Sequence, residues 1–170
     1  MNVTLRADAR RNLDRLLEAA AECFAEQGVD ASIDEIARRA GIGHGTVFRR
    51  FPTKEALLVA VMLERLRELT REAEGALDEQ DAGAAFERFF RRAAEVYAQN
   101  RAIVEGFERC IETEEVAALE VAVGRLVWRA QRAGAIRRDV TPADVMELVP
   151  AASRHPDVIL DGLRATRLTR

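Results

Sequence analysis

A single lysine, Lys54, serves a chain of 170 residues in which every other basic side chain except histidine is arginine. Cysteine is almost as scarce, with only Cys23 and Cys110. Both fall on apolar stripes of helical period and neither lies at a metal-ligand spacing from histidine, so they read as small buried hydrophobes. The usage fits a reducing compartment and excludes a disulfide framework. Histidine is limited to His44 and His155, no glycine-rich phosphate loop follows a strand, and no segment alternates as a strand does. The acids Glu112, Glu114 and Glu115 open a helix, where the dipole favours them. No enzyme, metal or cofactor is therefore expected. No apolar run approaches the ~20 residues that span a bilayer, and "MNVTLRADARRNLDRLL" lacks the apolar core of a signal peptide. The expected location is cytoplasmic, with no membrane partner.

What is abundant is helix-forming: Ala, Leu, Arg and Glu dominate, with 48% hydrophobic residues, 5% aromatic and only 4 prolines. The expected fold class is all-α. Leu13, Leu16, Leu17, Ala20 and Phe24 repeat at helical spacing from about Ala7 to Gln27, and Gly28 supplies a stop. Ser32 and Glu35 suit a capping box for a short helix carrying Ile33, Ile36, Ala37 and Ala40, which Gly41 ends. A second short helix spans His44 to Phe51 with Val47, Phe48 and Phe51 on its apolar side, halted by Pro52. Thr53 can cap a longer helix from Lys54 to about Ala76. "LDEQDAG" reads as a loop, and helices follow around Phe86–Tyr97 and Ile103–Cys110. A further helix runs from Thr113 to Gly134, another starts at Thr141-Pro142 and is cut at Pro150 or soon after, and the last covers Asp157–Leu168.

The net charge of −3 does not exclude a local basic face. One exists: from His44 to Lys54 there are three cations and no carboxylate, just after a glycine-rich turn. Two short helices joined by such a turn describe a helix-turn-helix, the second helix presenting its N-terminal side chains to the major groove of DNA. Gly43 and Gly45 let backbone approach closely. Thr46 can meet a thymine methyl or a polar base edge, and Arg49 and Arg50 can pair with phosphate or guanine. Lys54 sits where the helix dipole disfavours a cation, so DNA phosphate is the expected compensation.

"SIDEIARRAGIGHGTVFRRFPTKEALL" closely resembles the DNA-binding signature of the TetR family of bacterial regulators (TetR/AcrR type), which combines a capped "IA..AG" helix, a turn, "GT.Y..F" and "K..L". The resemblance covers roughly residues 10–60. It implies that Gly45 and Thr46 face the groove and that Lys54 meets phosphate; with the residues read above and their neighbours, the expected DNA-binding set is Gly43, His44, Gly45, Thr46, Phe48, Arg49, Arg50 and Lys54. Phe48 stands where the family usually has tyrosine, and Gly43 where it has serine or threonine; both departures weaken the grip on the backbone. His44 occupies a variable position, open to a base-reading role or to none.

The resemblance further implies an N-terminal three-helix DNA-binding domain, residues 1–55, and a helical-bundle effector and dimerisation domain, residues 56–170. The last two helices would pair with a second copy through Val145, Leu148, Val149, Val158, Ile159, Leu160 and Leu163, although membership of the core competes for each. The effector pocket would be lined by Met62, Leu66, Phe86, Phe90, Tyr97, Phe107, Cys110 and Trp128, residues that could equally be ordinary core; their character suggests an apolar or aromatic ligand. Ligand binding would tilt the helix that starts at Lys54 and change the spacing of the two reading heads. The partners implied are double-stranded operator DNA, a small effector and a second copy of the chain. The alternative is a helical homodimer acting through protein contacts alone, its DNA head weak or vestigial.

Overall fold

The computed structural model describes residues 2–101, 104 and 113–165, with side chains from residue 8 onward. The helices are α1 (Asn2–Gln27), α2 (Ile33–Ala40), α3 (His44–Arg50), α4 (Lys54–Ala76), α5 (Ala82–Gln99), α6 (Glu114–Arg132), α7 (Pro142–Ala152) and α8 (Pro156–Leu163). A 3-10 turn, Gly28–Asp30, follows α1. The all-α class is as expected. The helix expected around Ile103–Cys110 lies outside the described residues, and with it Phe107 and Cys110.

The chain divides into two compact units, the first running to Glu64 and the second beginning at Arg65, with Asn100 and Arg101 joining the first. In the first, Leu16, Ala20, Cys23 and Phe24 of α1 pack with Ile36, Ala37 and Ala40 of α2, Val47 of α3, and Leu57 and Val61 of α4. Arg39 clamps α2 to α1 with bonds of 2.8 Å to each carboxylate oxygen of Glu26. In the second unit Phe86 and Phe90 of α5 pack with Leu119, Val123 and Leu126 of α6, Val145 of α7, and Leu160 and Leu163 of α8. The two phenylalanine rings stack 6.0 Å apart.

Helix boundaries follow their local chemistry. The Thr141 hydroxyl accepts from Asp144 N–H at 3.1 Å while the Asp144 carboxylate accepts from Thr141 N–H at 2.7 Å, a complete capping box with Pro142 at the first helical position. At α2 only half the box forms: Ser32 Oγ accepts from Glu35 N–H at 3.1 Å. The Glu35 carboxylate turns instead to Arg38, at 2.7 Å, because a guanidinium is a stronger donor than an amide. Helix α7 contains Pro150 and ends soon after it, at Ala152, as expected. Two further boundaries differ from expectation. Helix α1 extends back to Asn2 rather than starting near Ala7. Helix α8 stops at Leu163, after which Arg164 is extended and bridges Ile136, with Arg137 N–H donating to Leu163 O at 3.0 Å.

Candidate nucleic-acid interface

The turn between α2 and α3 is built by Gly41, whose φ of 66° is left-handed and suits glycine. Ile42 N–H donates to Ala37 O at 2.9 Å and Gly41 N–H to Arg38 O at 3.1 Å. These bonds form a Schellman stop, which satisfies the terminal carbonyls of α2 and reverses the chain. Gly43 caps α3 through its backbone alone. From α3, Val47 is fully buried and anchors the helix, whereas His44, Gly45, Thr46, Phe48, Arg49 and Arg50 are all exposed. The seven-residue helix is thus pinned by one side chain and offers nearly all the others outward.

Several polar contacts preset this surface. Arg49 reaches the Thr46 hydroxyl at 3.3 Å. His44 Nδ1 meets the carboxylate of Asp34 on α2, and the His44 ring stacks on Phe48 at 5.8 Å. Lys54 is half-buried and donates from Nζ to Val29 O at 3.0 Å. The cation in the first turn of α4 is therefore partly compensated from within the chain by the carbonyl of the 3-10 turn. One ammonium carries three donors, so phosphate contact stays chemically open to it. Thr53 caps α4 as expected, its hydroxyl accepting from Ala56 N–H at 3.1 Å.

A Cβ added to Gly43 or to Gly45 would meet nothing within 4 Å, and neither residue has a positive φ. Nothing within the described residues explains a glycine in the first turn of α3. On α1 and α2, hydrogen bonds from Arg39 and Arg38 hold Glu26 and Glu35 below their ordinary values, and burial pushes the Cys23 thiol up. These groups stay charged, or in the case of Cys23 neutral, near pH 7. They are structural.

Sequence reasoning missed Asp34 and Val29. Asp34 precedes His44 by ten residues, and only the fold of the turn brings their side chains together. The Val29 acceptor is a backbone atom, which no side-chain pattern marks.

In the second unit, Phe86 and Phe90 are fully buried together and Leu66 packs against the same core. Tyr97 is half-buried. Met62 packs against the core of the first unit. Trp128 does not join the interior: it is 56% exposed on α6, with the Arg132 guanidinium 4.7 Å from its ring. Of the residues expected to meet a second copy, Val145, Leu160 and Leu163 belong to the chain's own core, which leaves them no surface for a partner. Leu148, Val149 and Ile159 are partly buried, and Val158 is 69% exposed.

Comparison with known proteins places both units in one family. Residues 16–61 match the model for bacterial regulatory proteins of the tetR family, and residues 81–170 match that for the C-terminal domain of SbtR-like transcriptional regulators. The crystal structure of a TetR transcription regulatory protein from Mycobacterium vanbaalenii is 41% identical, with a TM-score of 0.79, over 94% of this chain and 99% of that one. The TetR regulator SCO0520 from Streptomyces coelicolor is 30% identical, TM-score 0.69, over 90% and 98% respectively. The repressor Rv3405c of Mycobacterium tuberculosis (strain ATCC 25618 / H37Rv) is 39% identical over 93 residues, 54% of this chain and 46% of its own. The chain spans between 28% and 46% of the length of the curated relatives it matches. It belongs to the TetR family of bacterial regulatory proteins, a family of helix-turn-helix transcriptional regulators and not of enzymes. No helix among the described residues is long and apolar enough to cross a membrane.

Proposed function

We propose that this chain is a ligand-responsive transcriptional repressor of the cytoplasm. As a homodimer it binds a palindromic operator through α2 and α3, and it releases DNA when a small effector enters the second unit. The observation that carries the reading is the outer surface of α3: Gly45, Thr46, Arg49 and Arg50 are exposed in a stretch without a carboxylate of its own, and nothing among the described residues requires glycine at position 45. Residues 1–55 act as the reading head and 56–170 as the effector and dimer portion. The effector is apolar or aromatic, matching the interior around Phe86 and Phe90. The partly buried Leu148, Val149 and Ile159, with exposed Val158, supply the meeting surface of two copies. A tenfold loss of operator affinity requires the effector to favour the released state by only about 1.4 kcal/mol.

Selection of bound fragments from the host genome tests this reading. The expected product is a palindrome whose half-sites lie about 34–36 Å apart, one turn of the duplex or a multiple of it. Enrichment of no duplex over a scrambled control refutes it and favours a helical homodimer acting through protein contacts.

A further inference from the structure

One pairing on the reading face is not accounted for by contact with phosphate. His44 opens α3, its Nδ1 on the Asp34 carboxylate of α2 and its ring against Phe48 at 5.8 Å with an interplanar angle of 16°. Two constraints of different kinds thus hold one exposed ring: the carboxylate fixes its rotation, and the phenylalanine lies near-parallel beside it. The His44 and Asp34 side chains are 53% and 81% accessible, so the pair contributes little to stability. A carboxylate beside a surface meant for a polyanion is also unfavourable for binding in general. Its placement makes sense if it acts on the histidine.

An ionised carboxylate can only accept a hydrogen bond, so His44 Nδ1 carries the hydrogen. In the neutral ring Nε2 is then a bare acceptor. In the major groove the base donors are the amino groups of adenine and cytosine, while guanine and thymine offer acceptors at the matching edge. Resting on the reading of α3 as the groove-entering helix, we infer that His44 is a specificity-determining residue whose tautomer Asp34 sets. Its Nε2 selects an amino-bearing base, adenine or cytosine, over a keto-bearing one on one strand of each half-site. The groups around the ring support that aim. Gly45, Phe48, Arg49 and Pro52 line one open depression with His44, and Arg49 is drawn aside to the Thr46 hydroxyl at 3.3 Å.

The test is selection from a randomised duplex library by the unaltered protein, Asp34→Asn and His44→Ala, all in one buffer. For the unaltered protein, one position per half-site should favour adenine or cytosine by about five- to tenfold, the lower range for one base contact. An asparagine can accept or donate, so Asp34→Asn frees the tautomer; the preference there should shrink to within about twofold, other positions keeping theirs. His44→Ala should erase the same position. Both sites are exposed, so the variants should fold, and thermal melts check that they do. A guanine or thymine preference, an unaltered profile in either variant, or an affinity loss spread evenly over all positions overturns the inference while leaving operator binding intact. Failure of the unaltered protein to enrich any palindrome refutes the operator reading itself, and the inference falls with it.

Discussion

Under the proposed function, Gly45 is the residue at which a cost to the fold and a gain in binding separate most cleanly. A glycine inside a helix costs roughly 0.5–1 kcal/mol relative to alanine, and an added Cβ there meets nothing. Gly45→Ala should therefore leave the melting temperature unchanged or raised while lowering operator affinity; thermal melts and binding isotherms on one sample check both. A fall in both would place the reason for the glycine inside the fold. Lys54→Ala removes one phosphate contact from each of two heads, so it should weaken binding to all duplexes alike and flatten the salt dependence by about two units. Because Lys54 also holds Val29 O, a modest loss of stability should accompany it. The residue types of this surface were legible in sequence, since glycine, threonine and paired arginines announce their chemistry. Their mutual contacts were not. Whether Arg49 meets Thr46, or His44 meets Asp34, depends on rotamers and on a turn whose geometry only the folded chain fixes.

Among the elements, close approach separates two glycines that look alike in sequence. A Cβ on Gly83, at the start of α5, would stand 2.8 Å from Ala135 Cβ, whereas one on Gly75 in α4 meets nothing. Ala135 cannot easily yield, since its N–H donates to Ala130 O at 2.9 Å and its carbonyl accepts from Ala165 N–H at 3.1 Å. Gly83→Ala should thus destabilise by about 1–3 kcal/mol through overpacking, while Gly75→Ala should stabilise by roughly 0.5–1 kcal/mol; denaturant melts decide between them. The loop ahead of α7 adds a dependence on acid. Arg137 lowers Asp139 to about 2, and the Thr141 N–H lowers Asp144. Both folded pKa values lie below the unfolded ones, so their contribution is complete above roughly pH 4 and is lost as pH falls through the folded values. Asp144→Asn should flatten the acid limb of the stability profile measured from pH 5 to 2. Helix starts were legible because caps are local: Ser32, Thr53, Thr113 and Thr141 all cap as their spacing suggested. The end of α8 was not, because its stop comes from the bridge between Arg164 and Ile136, a contact made across the fold.

For the whole molecule, an all-α chain with a helix-turn-helix at its N-terminal end was readable from periodicity and one motif. The allocation of apolar residues between core and surface was not. Val145, Leu160 and Val158 share one hydrophobic character, yet the first two are 1% exposed and the third 69%. Period alone gives an apolar stripe without saying which edge of it meets another copy. The proposed function depends at this scale on charge: in it, two copies bring the Arg49, Arg50 and Lys54 sets to one operator. The most direct measurement is the affinity of the purified protein for its own palindrome, titrated across salt. If those three cations on each of two heads all release counterions, log K should fall linearly against log salt with a slope of about −5. A flat dependence, or indifference to every duplex in dilute buffer, would contradict the claim that this surface exists to hold DNA.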